Sequence, residues 1–416
     1  MRVVIMTVGT RGDVAPFVGL GVRLRAAGHE VTVATQQSSA ELVTGAGLAF
    51  RPLPGDMKAD MASADGQRWT KAGATLRAIP AQLRLGKRFM IGMGQAVLAA
   101  AAGAEVLLLA RAPMMHGYLA GQALGIPTVG LELWPSVPTG DFPLPLFGDR
   151  SFGRWGNRNL HKPVLFAPTP FDADFKRFCR EIGLPPVGIG RIRRTMLADE
   201  RWPILHGYSP LIVPRPADWR PGAEVAGYWW QPIPPEWRPS PELADFLAAG
   251  PPPVYIGLGS MASGEGERLS GIVVEAARQA RVRAVIQAGW AGLAAAGDDV
   301  LTVGDIPHDW LFPRMAALVQ HAGAGTTGAV LRAGVSTVPV PVAFDQPFWA
   351  GRLTRLGISP GVLPFKRLTA PALAERIRQA VGEPGFGDRA RVLGERVRAE
   401  AGTARVLRVL DELAGG

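Results

Sequence analysis

Residues 318–349, LVQHAGAGTTGAVLRAGVSTVPVPVAFDQPFW, constrain the fold more than any other stretch of the chain. The apolar run 316–319 reads as a buried strand. It feeds a glycine-rich turn, His321-Ala322-Gly323-Ala324-Gly325-Thr326-Thr327. The pattern predicts a helix over about 328–332 with Gly334 as its C-terminal cap, then a second strand over 338–342 that delivers Asp345 and Gln346. Strand, glycine turn, helix, strand is a βαβ unit. Its helix N-terminus presents unpaired backbone N–H groups and the positive end of the dipole to the turn. Glycine lets an anion approach that backbone with no Cβ in the way. The hydroxyls of Thr326 and Thr327 and the His321 imidazole add side-chain donors. The turn therefore has the make-up of a phosphate cradle.

The same residues also spell Gly323-x-Gly325-x-x-Gly328, and Asp345 lies near the spacing of a ribose-binding acid. That is the fingerprint of a dinucleotide site, so an NAD(P)- or flavin-dependent oxidoreductase stands as the alternative. The remainder of the chain decides between them.

A chain of 416 residues predicts two domains. Hydrophobic content of 47% with 19% charged residues is that of an ordinary folded protein. Cys179 is the one cysteine, which excludes an intramolecular disulfide and a cysteine-based metal cluster and fits a cytoplasmic location. The net charge of +10 is spread over scattered arginines, densest at Arg191, Arg193 and Arg194. It reads as a solvated face, or as weak peripheral attraction to an anionic membrane. No basic run is interleaved with aromatics, which argues against nucleic acid. The longest apolar stretch, 96–110, is interrupted by Glu105 and is too short to span a bilayer.

The first half begins with a second βαβ opening. Residues 2–8 form an apolar strand, Gly9-Thr10-Arg11-Gly12-Asp13 a turn, and Phe17, Leu20, Leu24 and Ala27 keep helical spacing as far as Gly28. Strands follow over 30–34, 48–52, 106–109, 128–131, 204–207 and 211–214. A loop is expected over 56–68 and one helix over 76–102. Over 134–170 the periodicity fails, and aromatics that include Trp134, Phe142 and Trp155 accumulate, as in a binding loop. The Pro- and Trp-rich stretch 216–253 reads as a stiff linker. Alternation then restarts at 254–258. The chain is thus α/β, with two Rossmann-like, doubly wound halves. The expected division is 1–215, a linker 216–253, 254–390, and a terminal helix over 391–416 packing back on the first half.

Three acids and a histidine call for comparison. Asp172-Ala173-Asp174 has metal-binding spacing, but it opens a helix after Pro170, where carboxylates stabilise exposed N–H groups. No other cluster has metal-ligand spacing, so no metal site is expected. Asp13 is either an N-cap or a general base. It lies beyond the carboxyl end of the first strand, where open α/β sheets bind ligands. His321 and Ser260 occupy equivalent strand ends in the second half. Trp310 either packs or stacks on a base.

Four motifs occur in one order: Gly9-Thr10-Arg11-Gly12-Asp13-Val14-x-Pro16, Ile306-Pro307-His308-Asp309-Trp310-Leu311-Phe312-Pro313, His321-Ala322-Gly323-Ala324-Gly325-Thr326-Thr327-Gly328 and Asp345-Gln346-Pro347-Phe348-Trp349. Together they resemble the GT-B nucleotide-sugar glycosyltransferases, in the branch that holds the sterol 3-beta-glucosyltransferases and the bacterial natural-product enzymes. The Ala-, Arg- and Gly-rich composition resembles that of a GC-rich bacterium.

The resemblance implies an inverting, metal-independent transferase that needs no cofactor beyond a nucleotide diphosphate sugar. It implies Asp13 as the base, with Arg11 and Gly12 beside the donor phosphates. His321, Gly323, Gly325, Thr326, Thr327 and Ser260 would hold the diphosphate. Asp345 and Gln346 would bind sugar hydroxyls, and Ile306 and Trp310 would line the base and ribose. Where plant relatives carry a tryptophan-led box, this chain has Asp305-Ile306-Pro307-His308, which leaves UDP and dTDP donors both open. The small-molecule acceptor is expected to be apolar, a sterol or terpenoid or a polyketide-type antibiotic aglycone, bound near Trp134, Phe142 and Trp155. A non-catalytic binding protein on the same fold is the third reading.

Overall fold

Strand β1, Arg2–Met6, is buried from Val3 onward, as an apolar run with no polar alternation requires of a strand covered on both faces. The computed structural model describes residues 1–72, 79–167, 169–259, 265–289, 292–295 and 297–415. The first half adds β2 (Glu30–Gln36), β3 (Ala49–Leu53), β4 (Val106–Ala110), β5 (Thr128–Glu132), β6 (Ile204–His206) and β7 (Ala223–Val225). They form a parallel sheet in the order β3-β2-β1-β4-β5-β6-β7. The second half contains β8 (Val254–Gly257), β9 (Ala284–Gln287), β10 (Val300–Val303), β11 (Ala317–Gln320) and β12 (Thr337–Pro339), parallel in the order β10-β9-β8-β11-β12.

In each sheet the strand order reverses once, between β1 and β4 and between β8 and β11. Loops leaving the carboxyl ends of such a pair diverge to opposite faces and leave a crevice. Both expected turns, after β1 and after β11, start at these crevices.

One apolar cluster runs from Met6 and Leu109 of the first half through Tyr208 to Phe348 and Trp349 of the second, so the halves share a core. The terminal helix Gly402–Ala414 places Val406, Val409 and Leu410 against Phe17, Leu20 and Leu24 of helix Arg11–Ala26. A fork from Arg405 to both oxygens of Glu224, 2.5 Å each, fixes it there.

Several local expectations differ. Residues 211–214 form no strand; Ile212 and Val213 donate instead to the Ser209 carbonyl in a turn. The last strand of the first sheet is β7, within the stretch read as linker. The expected loop over 56–68 contains helices Met57–Ala62 and Ala64–Ala72. Helix Gly153–Phe166 interrupts the irregular segment. Gly92, at φ 72°, separates helices Ile79–Met90 and Met93–Ala101, a break that glycine permits. Among the described residues no helix is long and apolar enough to cross a membrane.

Candidate active site

The turn after β1 is built around Asp13. Thr10 caps helix Arg11–Ala26. Its N–H and its hydroxyl both donate to Asp13 Oδ2, at 2.8 and 2.9 Å. Thr7 Oγ1 donates to the Asp13 carbonyl at 2.9 Å, and Gln36 Nε2 to the Gly9 carbonyl at 2.8 Å. A Cβ at Gly9 would stand 2.5 Å from the Asp13 side chain, so only glycine lets the carboxylate lie there. The capping and base readings are therefore compatible. Oδ2 serves the cap, and Oδ1 has no hydrogen-bond partner among the described residues. Asp13 is exposed on this turn, beside Arg11 and Gly12. Desolvation raises its pKa, opposed by the two Thr10 bonds.

The turn after β11 is held in an uncommon conformation. Ala322 has φ 62°, fixed by its N–H donating to Oε1 of buried Gln320. Gln320 Nε2 is anchored on Thr337 Oγ1 at 3.2 Å. The His321 imidazole lies between Gly259 and Gly323, where a Cβ at either position would come within 2.7 Å of the ring. Its Nδ1 is buried without a partner among the described residues. Burial pushes its pKa down to about 4, so the ring is neutral near pH 7. Gly323 then caps helix Ala324–Ala333.

The two helix N-termini meet across the cleft. A Cβ at Gly325 would lie 3.5 Å from the Gly12 carbonyl oxygen. Arg11 reaches over to Asp305 of the second half, 4.0 Å away. Between them is a cavity of about 880 Å³ whose wall includes Arg11, Gly12, Ile306, His321, Gly325 and Thr326. Two positive dipole ends, a guanidinium and a neutral imidazole around one space can hold a polyanion.

The other expected residues are placed differently. Thr327 is fully buried within its helix and is not part of the cavity wall, so Thr326 is the threonine that faces the cavity. Gly323 serves by making room for the imidazole. Trp310 is likewise outside the wall; it packs edge-to-face on Trp237 at 5.2 Å, with the Arg314 guanidinium 4.2 Å over its ring. Ser260 lies outside the described residues.

Asp345 and Gln346 open helix Gln346–Arg355. Asp345 Oδ2 accepts from Trp349 Nε1 at 2.7 Å, and Gln346 Oε1 accepts from the Val342 and Ala343 N–H groups at 2.7 and 3.1 Å. Burial, followed by the negative charge of Asp13, pushes Asp345 up to about 6. Asp345 thus stands near Asp13, although neither it nor Gln346 forms the cavity wall.

Of the three aromatics expected around an acceptor, Phe142 is buried against Phe348 at 5.7 Å and belongs to the contact between halves. Trp155 is 81% exposed on the outer surface of its helix. Trp134 lies just beyond the carboxyl end of β5, next to Leu133 of the cavity wall, with the Arg111 guanidinium 4.2 Å over its ring. Arg111 follows β4 and pairs with buried Glu132 at the end of β5, 3.0 Å away. The sequence offered no motif for this pair; the strand-end positions alone pointed to it.

The segment expected to be a linker does more than connect the halves, because residues 228–237 form one wall of the cavity. Two glycines admit it. A Cβ at Gly19 of the first helix would meet the Trp230 backbone at 2.4 Å, and one at Gly328 the Tyr228 ring at 2.6 Å. The connector is wedged between the helices of both halves.

Two doubly wound domains facing across a cleft, with an acid on one rim and an anion cradle on the other, are the architecture of GT-B glycosyltransferases. Residues 3–124 match the glycosyltransferase family 28 N-terminal domain, and residues 279–413 match the erythromycin biosynthesis protein CIII-like C-terminal domain. The chain is 38% identical to O-mycaminosyltylonolide 6-deoxyallosyltransferase of Streptomyces fradiae, covering 100% of this chain and 98% of the relative. It is 32% identical to sterol 3-beta-glucosyltransferase UGT80A2 of Arabidopsis thaliana over 91% of this chain, which spans 60% of that protein. Solved structures agree in fold. The glycosyltransferase of kitacinnamycin superposes with a TM-score of 0.72 at 20% identity, over 99% of this chain and 98% of the other. VinC in complex with dTDP gives 0.69 at 20% identity, over 100% of both chains. The chain belongs to this glycosyltransferase family and is a transferase. The dinucleotide reading of Gly323-x-Gly325-x-x-Gly328 is set aside, since both family matches and the relative that spans the whole chain are glycosyltransferases.

Proposed function

We propose that the protein moves a hexose from a UDP- or dTDP-linked donor to a hydroxyl of an apolar acceptor, with inversion and without a metal. The observation that carries this reading is the approach of Gly12 and Gly325, which brings two helix N-termini and Arg11 onto one cavity beside Asp13. The diphosphate lies between the helix ends, held by Thr326, His321 and the backbone N–H groups of the cradle. The free N–H and C=O of Ile306 complement the imide edge of uracil or thymine; neither has a hydrogen-bond partner among the described residues. Asp345 would meet the sugar through Oδ1, while Gln346 holds the turn before it through the Val342 and Ala343 N–H groups.

Asp13 Oδ1 accepts the acceptor hydroxyl proton as the oxygen attacks the anomeric carbon. The bond to the diphosphate breaks on the opposite face. The charge that builds on the leaving group is stabilised by the helix dipoles and by Arg11, the role a metal plays elsewhere. An α-linked donor gives a β-linked product.

The relatives whose names mention a tylonolide and sterols support an apolar polycyclic or macrocyclic acceptor. Trp134 at the first sheet edge is where its apolar surface would rest. The test is product analysis by mass spectrometry and NMR for a matrix of UDP- and dTDP-sugars against steroids and macrolide aglycones, with and without EDTA. An α-linked donor is expected to give a β-glycoside with release of nucleoside diphosphate, unchanged by EDTA. A product that keeps the donor's anomeric configuration, or loss of turnover in EDTA, would overturn the mechanism.

A further inference from the structure

We propose that Trp237, in the connector between the two halves, is the platform on which the donor nucleobase stacks. This rests on the reading of the cavity as a nucleotide-sugar site. A purine or pyrimidine needs an aromatic face that is open to the cavity and rigidly mounted.

Most aromatic rings in the cavity wall are already covered. Trp229, Tyr255 and Tyr228 are buried. His308 stacks on Phe312 at 4.2 Å with the rings 16° apart. Trp230 carries the Arg332 guanidinium at 4.7 Å and the Tyr228 ring at 4.9 Å. Trp237 is half-buried, and its one ring contact among the described residues is Trp310, at 61°. An edge-to-face contact occupies at most one face of a ring, so Trp237 keeps a face for a ligand.

The mounting is stiff. The Trp237 N–H donates to the Pro234 carbonyl at 3.0 Å, closing a four-residue turn in which Pro235 has its φ already fixed. Arg238 Nη1 donates to the Pro235 and Trp237 carbonyls at 2.7 and 2.8 Å. Pro232 and Pro239 restrict the chain on either side. Trp310, with Arg314 over it, buttresses the ring from behind. The same cavity runs from Trp237 past Ile306 to His321 and Thr326, so one nucleotide can engage base platform and phosphate cradle together. Because the connector is wedged between both halves, base stacking also ties nucleotide occupancy to their relative placement.

The experiment is calorimetric titration of UDP, dTDP and inorganic pyrophosphate into the full chain and its W237F, W237A and W310A variants. W237A should weaken both nucleoside diphosphates by about ten-fold or more, and W237F should stay within about three-fold, as expected for a stacking contact. Pyrophosphate affinity should be the same in all four proteins. Unchanged UDP and dTDP affinity in W237A, with normal wild-type binding, would overturn the proposal alone. An equal loss of pyrophosphate affinity would also overturn it, since that marks a structural effect. Failure of the wild type to bind either nucleoside diphosphate would overturn the donor-site reading itself.

Discussion

Asp13, in the first turn of helix Arg11–Ala26, and Asp345, at the start of helix Gln346–Arg355, are close enough for the negative charge of the first to push the pKa of the second up. Burial is the larger cause and brings Asp345 to about 6. Below that pH Asp345 takes up a proton, and desolvation raises Asp13 as well. The rate with saturating donor should therefore fall as pH drops through about 6. Asp345→Asn removes one of the two charges and should move the acid limb to lower pH, with a lower plateau from the lost sugar contact. A pH–rate profile checks this; an unmoved limb would show that the two acids do not interact.

The same coupling has a stability consequence. A carboxyl whose folded pKa lies above its ordinary value stabilises the fold fully at low pH, and that contribution is lost as pH rises through about 6. At pH 8 the Asp345→Asn protein should then melt no lower than the wild type, since the amide oxygen can still accept from Trp349 Nε1. Thermal melts at pH 8 and pH 5 measure it.

Arg11 and Asp305 are 60% and 72% exposed, so their ion pair should contribute only about 0–1 kcal/mol to the fold. Arg11→Ala should leave the melting temperature nearly unchanged while weakening nucleoside diphosphate binding about ten-fold, with a shallower salt dependence. Equal losses in both would mean that Arg11 holds the halves together and does not serve the ligand.

The connector is seated by absent side chains. Gly328→Ala places a methyl 2.6 Å from the Tyr228 ring, and Gly19→Ala one 2.4 Å from the Trp230 backbone. Each should cost about 1–3 kcal/mol in urea denaturation. Gly19→Ala should be the more severe, because backbone cannot rotate away as a ring can.

Asp149 binds Arg352 at 3.0 Å and Arg355 at 2.9 Å, clasping the irregular segment of the first half to the helix that begins at Gln346. Arg352 is only 13% exposed and lies over the Phe142 and Phe348 rings. Asp149→Ala leaves that cation unpaired in an apolar setting and should destabilise by about 3–5 kcal/mol. Asp149→Asn should recover part of the loss.

What the sequence shows of this molecule follows from the range of the forces involved. The glycine turns are legible because positive φ, as at Gly9 and Gly259, and close approach to Asp13 or His321 are local demands that only glycine meets. Both doubly wound halves are legible because fully buried parallel strands leave uninterrupted apolar runs. Strand β7 was hidden by its length of three residues, and the 211–214 run by a turn that Ser209 organises. The positions of Trp310 and Phe142 are tertiary outcomes: each has the chemistry of a ligand contact and is drawn into packing by a ring from a distant segment, Trp237 and Phe348, while Thr327 is buried within its own helix. The proline-rich connector reads as a spacer because proline signals stiffness whether a segment bridges two domains or forms a wall of the site.

The most direct measurement is turnover and donor binding of Asp13→Ala, with Asp13→Asn as the variant that preserves the Thr10 contacts. If Asp13 is the base, UDP or dTDP affinity stays within about two-fold of the wild type while turnover falls by about 10²–10⁴-fold in both variants. Turnover near the wild-type rate in Asp13→Asn, with the cap intact, would contradict the account and leave Asp13 a helix cap alone.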